Sequence, residues 1–235
     1  MLTRIVLKRG VRSEGESPFW ISFSDLMSAL MVLFLVVMAV TLISVAKSVT
    51  AEEEAKIQRE KDIKAVMAQI KRDSAEKSVS VDESTYRINL GEVVRFDSGK
   101  FSITPEAAKF LRDYIPVLLK AKSTAEGQEW MRRVVVEGFT DQDGTYLYNL
   151  ELSLNRSRSV VCSLFAKPAA GERVLTEPEL RQIQELVLVG GYSFNSIRQD
   201  KAASRRVELK IEFWGIDDKR PVTNELLGTK EFGQC

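Results

Sequence analysis

Residues Val134 to Val161 read VVVEGFTDQDGTYLYNLELSLNRSRSVV, an apolar run followed by a polar turn and a long helix-like pattern. The run from Arg133 to Phe139 carries valines on both faces, which is typical of a strand at the centre of a sheet. Beyond the turn, apolar side chains recur at helical spacing, at Leu147, Leu150, Leu154, Val161 and Leu164. This stretch therefore predicts a buried strand that is followed by a long helix.

Further strands and helices are predicted on both sides of this stretch. Thr104-Pro105-Glu106 is a helix start, with a capping threonine and a proline in the first turn. The remaining elements are a strand containing Tyr86, Ile88 and Leu90, a helix over residues 177–185, and strands over residues 186–190 and 206–213. Strands that alternate with helices predict an α/β sandwich over residues 85–214, with helices on one or both faces of a small sheet.

Spaced motifs within this region are more specific than its periodicity. They are E-G-F-T-D-Q-D-G at 137–144, N-x-x-L-S-x-x-R at 149–156, S-R-R-V-E at 204–208, F-D-S-G at 96–99, and Asn195. Together they resemble the OmpA-like peptidoglycan-binding domains, which show E-G-H-T-D-x-x-G, N-x-x-L-S-x-x-R and a terminal R-R-V-E strand. The resemblance covers about residues 86–213 and implies a periplasmic domain that binds the bacterial cell wall.

The resemblance also implies which residues bind the wall. The family's ligand-binding aspartate falls on Asp141 and its arginine on Arg156. Diaminopimelate in a peptidoglycan stem peptide presents an ammonium and a carboxylate, so one fixed acid and one fixed guanidinium can bind both groups. Further contacts are expected from Thr140, Asn149 and Leu152, which would line the site, and from Arg205 or Arg206, which would add a second carboxylate contact.

Structural alternatives remain open for two of these residues. Asp141 is also a favoured type of helix N-cap, and Arg156 could be a packing arginine whose stem lies along apolar surface. The chain departs from the family at Phe139, where histidine is usual. Phenylalanine fills the same volume but cannot hydrogen-bond, so the affinity or specificity for the ligand can differ from the family's.

The N-terminal part contains a candidate transmembrane helix at residues 19–46. No charge interrupts residues 26–43, and the whole segment is long enough to cross a hydrocarbon core of ~30 Å. Residues 1–18 carry Arg4, Lys8, Arg9 and Arg12, so the positive-inside rule places them in the cytoplasm. A cleavable signal peptide ending near Ser44-Val45-Ala46 is the alternative, but the apolar run exceeds the ~7–15 residues of a signal core.

Asp25 lies inside this span, toward its predicted cytoplasmic end. An acid costs ~2.5–3.5 kcal/mol at the centre of a membrane helix, and such residues are functional by default. Asp25 shares its helix face with the small residues Ser22, Ser28 and Ala29, which allow other helices to approach closely. We interpret Asp25 as an ion carrier and its small neighbours as a channel face. The alternative is an acid that reaches the headgroups or pairs with a basic residue of a partner.

Residues 47–84 are predicted to form an amphipathic linker on the periplasmic side. Within a helix over residues 52–72, one face carries Ile63, Val66, Met67 and Ile70. This face leaves three interpretations open, a solvated connector, a dimer seam, or a plug that lies on the membrane surface beside a channel. Residues 78–84 are predicted to be a short flexible joint.

The two cysteines, Cys162 and Cys235, both lie on the predicted periplasmic side, where disulfides persist. We therefore expect a bridge between them, which would tie the C-terminal tail, residues 215–235, onto the second long helix of the domain.

The composition argues against several classes of function. The chain has 235 residues and no histidine, which excludes Ser-His-Asp and Cys-His catalysis and His-ligated zinc. Its 34 Lys and Arg against 33 Asp and Glu give a net charge of +1, which offers no electrostatic reason to expect direct binding of nucleic acid.

The motif Asp141-x-Asp143-Gly144 resembles the start of a calcium-binding loop, but the later ligands of such a loop are missing. We expect a non-enzymatic protein without cofactor or metal.

The span resembles a second family. Residues 20–28, WISFSDLMS, are similar to the pattern W-x-x-x-[YF]-x-D-[FL]-M-[ST] of MotB-type subunits of ion-driven stators, in which Asp25 matches the ion-carrying aspartate. Residues 18–22 and 31–38 look closer still to the stator-like subunits of the Zorya anti-phage defence systems.

That resemblance implies a homodimer within a pentamer of a larger MotA-like (ZorA-like) inner-membrane subunit. Ion flow past Asp25, with protons as the expected ion, would rotate the partner around the wall-anchored dimer and signal to cytoplasmic defence effectors. The N-terminus would be cytoplasmic and the C-terminal domain periplasmic. A flagellar stator subunit, a passive wall anchor and, least favoured, a wall-cleaving enzyme remain as alternatives.

Overall fold

The computed structural model describes residues 18–220 and 231–235. The basic residues Arg4, Lys8, Arg9 and Arg12, on which the predicted orientation depends, lie outside this range, as do residues 221–230 of the predicted tail. The chain divides into two compact units, Met1–Glu54 and Ala55–Cys235, and each is treated by itself. The second unit is wider at both ends than the predicted domain of residues 85–214.

The first helix, α1 (Pro18–Asp73), includes the whole predicted span. Its apolar side chains in the first unit are exposed, and Ser22–Asp73 is long and apolar enough to cross a membrane, with a mean hydropathy of 2.8 in its most apolar window. Two hydroxyl side chains of the predicted span hydrogen-bond to their own helix. Ser28 donates to the Ser24 carbonyl at 2.7 Å, and Thr41 donates to that of Met38 at 2.8 Å. These bonds reduce the cost of placing hydroxyl groups in an apolar medium.

The C-terminal part of α1, from Ala55 onward, belongs to the second unit and supplies part of its core. The apolar face predicted from the sequence is fully buried, with Ile63, Val66, Met67 and Ile70 at most 2% exposed. Three polar contacts fix the same segment. The Arg59 Nε donates to the Trp214 carbonyl at 2.7 Å, the Trp130 indole donates to Asp62 at 3.0 Å, and Ser74 and Tyr114 share a hydrogen bond of 3.0 Å. The face is therefore occupied by the domain itself, which none of the three sequence interpretations anticipated.

Replacing Ile70 should reveal how much this helix contributes to the domain. Because Ile70 is 0% exposed, Ile70→Ala is expected to lower the free energy of unfolding by about 2–5 kcal/mol. Denaturant titration of the full-length protein in detergent micelles, followed by tryptophan fluorescence, measures this difference. Lys64→Ala, on the exposed face of the same helix, is the control and should stay within about 0.5 kcal/mol of wild type. Equal stabilities for the two variants would show that the helix is only a connector.

The second unit is built on a five-stranded sheet in the order β1-β2-β5-β3-β4. The strands are β1 (Ser80–Asp82), β2 (Arg87–Asn89), β3 (Met131–Gly138), β4 (Val187–Gly191) and β5 (Val207–Phe213). β3 pairs in parallel with β4 and antiparallel with β5, while the other neighbouring pairs are antiparallel. β3 is thus an interior strand, as its valines predict. The joint predicted at residues 78–84 contains β1, which pairs with β2 across a turn.

Five helices follow α1: α2 (Pro105–Ser123), α3 (Ala125–Trp130), α4 (Tyr146–Phe165), α5 (Glu177–Leu186) and α6 (Lys201–Ser204). α2 begins as predicted, because Thr104 caps it by accepting a hydrogen bond from the Ala107 backbone N–H and Pro105 occupies its first turn. α5 begins with a capping box of Thr176 and Glu179. α3 and α6 were not predicted, since both are too short to give a helical periodicity.

The two faces of the sheet differ in chemistry. Val134, Val136, Leu209 and Ile211 belong to one apolar core together with residues of α1, α2, α4 and α5. The opposite face is charged. There, the Arg133 Nε donates to the Glu212 carboxylate at 2.6 Å, and the cross-strand register places two carboxylates, those of Glu137 and Glu208, opposite each other. The helices therefore cover one face, and ion pairs cover the other.

Cys162, on α4, and Cys235 are joined by a disulfide in the structure, with their Cα atoms 5.8 Å apart. Phe232 packs beside the bridge, with its ring centroid 5.1 Å from that of Phe165. The described end of the tail, residues 231–235, thus lies against α4.

Candidate functional site

The candidate site lies where β3 ends and α4 begins. A Cβ added to Gly138 would lie 2.0 Å from the Ser153 carbonyl oxygen, so only glycine allows the helix backbone to approach the strand this closely. Beyond Gly138, the Phe139 N–H donates to the Arg206 carbonyl and the Thr140 N–H donates to the Ser193 carbonyl, each at 3.0 Å. These contacts bring residues 139–141 against α4 and against the start of β5.

Arg156 is the most deeply placed charge of the site, at 0% exposure. Its Nε donates to the Lys100 carbonyl at 3.0 Å, its Nη1 to that of Phe139 at 2.8 Å, and its Nη2 to that of Asp97 at 3.0 Å. Burial lowers the pKa of Arg156 to about 10, although the nearby Asp141 carboxylate acts in the opposite direction. Arg156 therefore joins the 97–100 turn to the end of β3, while two of its five N–H groups remain for other partners.

Asp141 is buried beside a second arginine. At 5% exposure, its Oδ2 accepts a hydrogen bond from the Arg205 Nη1 at 2.9 Å, and its Oδ1 accepts one from the Asp143 N–H at 3.2 Å. Asp141 is not the cap of α4, because Thr145 holds that position and accepts from the Tyr148 N–H. The alternative interpretation of Asp141 as a helix cap is thus wrong.

The two consecutive arginines expected near the ligand carboxylate have different partners. Arg205 contacts Asp141 and also donates from Nε to the Phe96 carbonyl at 3.1 Å. Arg206 donates to the Glu208 carboxylate at 2.7 Å, and its guanidinium lies 4.2 Å from the centroid of the Phe139 ring. The structure therefore places Arg205 on Asp141, whereas it directs Arg206 toward Glu208.

Thr140 and Asn149 bring unpaired acceptors to the site. Both residues are 1% exposed, and neither the Thr140 Oγ1 nor the Asn149 Oδ1 has a hydrogen-bond partner within the described part of the chain. The Asn149 amide nitrogen donates to the carbonyls of Asp143 and Thr145, at 3.0 and 3.2 Å. A buried polar atom without a partner costs about 1–3 kcal/mol, so these acceptors favour an incoming donor. Leu152 is buried and supplies an apolar wall.

Phe139 occupies the position of the family's histidine as an aromatic packing residue. Its ring stacks on that of Tyr192, with centroids 5.3 Å apart, and the Arg206 guanidinium lies beside it. Stacking and cation–π contact thus fill this position without any side-chain hydrogen bond.

A buried ion-pair network next to the site was not predicted. Arg87 on β2 bridges the carboxylates of Glu137 and Glu208, and Arg198 donates to Glu208 at 2.7 Å. Burial by itself would raise the pKa of Glu208, but the hydrogen bond and charge of Arg206 bring it below its ordinary value. The signal was present in the sequence, because charged residues alternate with apolar ones along β5. Within residues 18–220 and 231–235, no group of three or more Cys, Asp or Glu side chains could hold a metal ion.

The fold and this site define an OmpA-like domain, and a family model described as the OmpA family matches residues 95–204. The chain is 42% identical over 222 residues to the Zorya protein ZorB of Escherichia coli O139:H28. The aligned residues cover 94% of this chain and 90% of that protein. The chain therefore belongs to the ZorB family. Zorya protein ZorB of Escherichia coli strain Crooks is 24% identical over 176 residues, 68% of this chain and 73% of that protein.

Two solved structures are among those that are similar to part of this chain. The periplasmic domain of Helicobacter pylori MotB (residues 78–256) is 16% identical, with a TM-score of 0.38 and coverage of 56% of this chain and 78% of that chain. The cell wall anchor of the T6SS from Pseudomonas aeruginosa is 19% identical, with a TM-score of 0.40 and coverage of 63% and 97%. The family match and the relatives confirm the resemblance and the fold class that the motifs predicted.

Proposed function

We propose that this chain is the wall-anchored subunit of an ion-driven inner-membrane complex that acts in defence against phage. The carrying observation is that one chain contains an exposed apolar helix with an internal acid, Asp25, and an OmpA-like domain with Asp141 beside two arginines. In this proposal residues 1–18 are cytoplasmic, residues 19–46 span the membrane, and the domain binds peptidoglycan in the periplasm.

The wall-binding part of the proposal is supported by the chemistry of the site. Asp141, Thr140 and Asn149 offer a carboxylate and two unpaired acceptors, which suit an ammonium group. Arg156 keeps two N–H groups free of the three carbonyls that it binds, which suits a carboxylate. Diaminopimelate in a stem peptide presents both groups on one carbon.

The ion-carrying part of the proposal is supported by the surroundings of Asp25. Ser22, Ser28 and Ala29 lie on its helix face and are exposed in the chain by itself. Small residues allow close helix packing, so partner helices can enclose Asp25 and exclude lipid from it. In this proposal the helix belongs to a homodimer inside a pentamer of a larger MotA-like subunit. Ion passage at Asp25 would then drive that subunit and signal to cytoplasmic effectors.

Binding to purified sacculi tests the wall site. Asp141→Asn is expected to reduce the fraction of full-length protein that sediments with sacculi about tenfold, because a neutral amide loses the charge that holds an ammonium. Asp143→Asn is the matched control, since the Asp143 carboxylate is exposed and pairs only with Lys201 among the described contacts. If Asp141→Asn sediments as well as the control, Asp141 is not the wall-binding acid.

A further inference from the structure

At the candidate site, the acid expected to bind a ligand already holds a cation of its own chain. The Arg205 Nη1 lies 2.9 Å from the Asp141 Oδ2, and the Arg205 side chain is 21% exposed while that of Asp141 is 7% exposed. Arg205 is therefore the more exposed partner of the pair. Its second hydrogen bond, from Nε to the Phe96 carbonyl, holds it in that place.

Two buried polar atoms of the candidate site lack a hydrogen-bond partner within residues 18–220 and 231–235. Thr140 directly precedes Asp141, and the Asn149 amide is bonded to the Asp143 carbonyl, yet the Thr140 Oγ1 and the Asn149 Oδ1 have no partner in the described residues. A planar guanidinium presents its donors in one fixed fork, whereas an ammonium presents three donors that can turn toward separate acceptors. A primary ammonium can therefore take the place of the guanidinium on Asp141 while it directs its other donors elsewhere.

We propose that Arg205 is an internal competitor for the ammonium of the ligand, and that it thereby lowers the affinity of the site for ligands that carry a free ammonium. A stem peptide with a free primary ammonium binds by replacing the guanidinium on Asp141. A peptide without that ammonium gains nothing that offsets the loss of the Arg205–Asp141 pair, so it leaves that pair in place. This inference rests on the proposed binding of peptidoglycan.

Calorimetric titration of the full-length protein in detergent micelles tests the exchange. The probe is N-acetyl-L-alanyl-γ-D-glutamyl-meso-diaminopimelate, whose single free amine is that of the diaminopimelate, compared with the same peptide acetylated on that amine as well. Arg205→Gln removes the competing charge and is expected to bind the free-amine peptide about three- to tenfold more tightly than wild type, with no gain for the acetylated peptide.

Lys201→Gln is the matched control, because it removes a cation of the same segment whose pair with Asp143 is largely exposed. It should stay within about twofold of wild type. Arg205→Lys, which keeps the cation, should also show no gain of more than about twofold. A gain in Arg205→Lys as large as in Arg205→Gln would overturn the proposal, because loss of the Phe96 contact would then be the cause.

The wild-type protein provides a measurement that does not depend on a variant. The Nε–H signal of Arg205 in arginine-labelled protein should shift when the free-amine peptide binds and stay unchanged with the acetylated peptide. If wild type binds the free-amine peptide without that shift, the internal competition is refuted and the wall-binding function stands. The same holds if Arg205→Gln binds this peptide no more tightly than wild type does. Failure of wild type and all variants to bind the free-amine peptide would instead refute the proposed function, and the inference with it.

Discussion

Asp25→Asn is expected to reduce ion flux through the assembled complex at least tenfold without reducing the amount of protein in the membrane. Asparagine has nearly the same size as aspartate but cannot take up and release a charge. The lower cost of an amide in lipid should leave insertion intact, because an aspartate costs ~2.5–3.5 kcal/mol at a helix centre. A unit charge that crosses ~150 mV releases ~3.5 kcal/mol, and this energy is lost to the variant.

The measurement is potential-driven proton or sodium uptake by proteoliposomes that contain this chain and its larger membrane partner, co-purified from one membrane. Asp25→Glu retains a carboxylate and should keep a measurable part of the flux. Ser28→Ala, on the same face, controls for small changes in helix packing and should keep most of it. Wild-type flux and wild-type phage resistance in Asp25→Asn would favour a passive wall anchor and remove the ion-carrying role.

Arg156→Ala should be among the most destabilising single substitutions in the domain, with a loss of about 3–5 kcal/mol of unfolding free energy. The reason is that one fully buried guanidinium serves three backbone carbonyls from two separate segments, those of Asp97, Lys100 and Phe139. Its removal leaves these acceptors unpaired and opens a cavity between the 97–100 turn and α4.

Denaturant unfolding of the full-length protein, followed by the fluorescence of Trp130 and Trp214, measures this loss. Arg158→Ala is the control, since Arg158 is an exposed arginine on the same helix and should change stability by less than about 0.5 kcal/mol. Arg156→Lys keeps the charge but cannot reproduce the fork of donors, so an intermediate loss is expected. If Arg156→Ala unfolds within about 1 kcal/mol of wild type, the arginine is not a structural clamp.

Arg156→Ala is a poor probe of ligand binding, because the substitution is also expected to weaken the domain. Loss of wall binding in Arg156→Ala would reflect both a missing ligand contact and a weakened domain. The proposed wall-binding role of the site is therefore tested more cleanly at Asp141, because the Asp141 side chain takes no part in the three backbone contacts of Arg156.

The elements of the domain that local patterns determine could be predicted from the sequence. The β3 valines and the Thr104 cap each act over a few neighbouring residues, and the structure has both where the pattern placed them. The buried face of α4 could not be predicted from its leucines, since Leu147 is 73% exposed. That face is instead formed largely by polar residues such as Asn149, Ser153 and Arg156, and their burial depends on backbone groups from distant segments.

The same limit applies to the site. Motif matching located Asp141 and Arg156, because these residues lie within continuous patterns along the chain. The Arg205–Asp141 pair joins residues far apart in sequence, so no local pattern indicates it. Likewise, the periodicity of α1 located the apolar face around Met67 and Ile70, but periodicity alone cannot identify the surface against which a face packs.

The burial of that α1 face sets a limit on how such a domain can move between proteins by recombination. The family match begins at residue 95, yet Val66, Met67 and Ile70 complete the core against which the sheet and α2 pack. A recombination crossover near residue 85 would transfer a domain that lacks these three core side chains. A crossover before Ala55 would transfer the domain with its whole hydrophobic core. The folded domain of this chain therefore includes the last turns of α1, the helix that also contains the candidate membrane span.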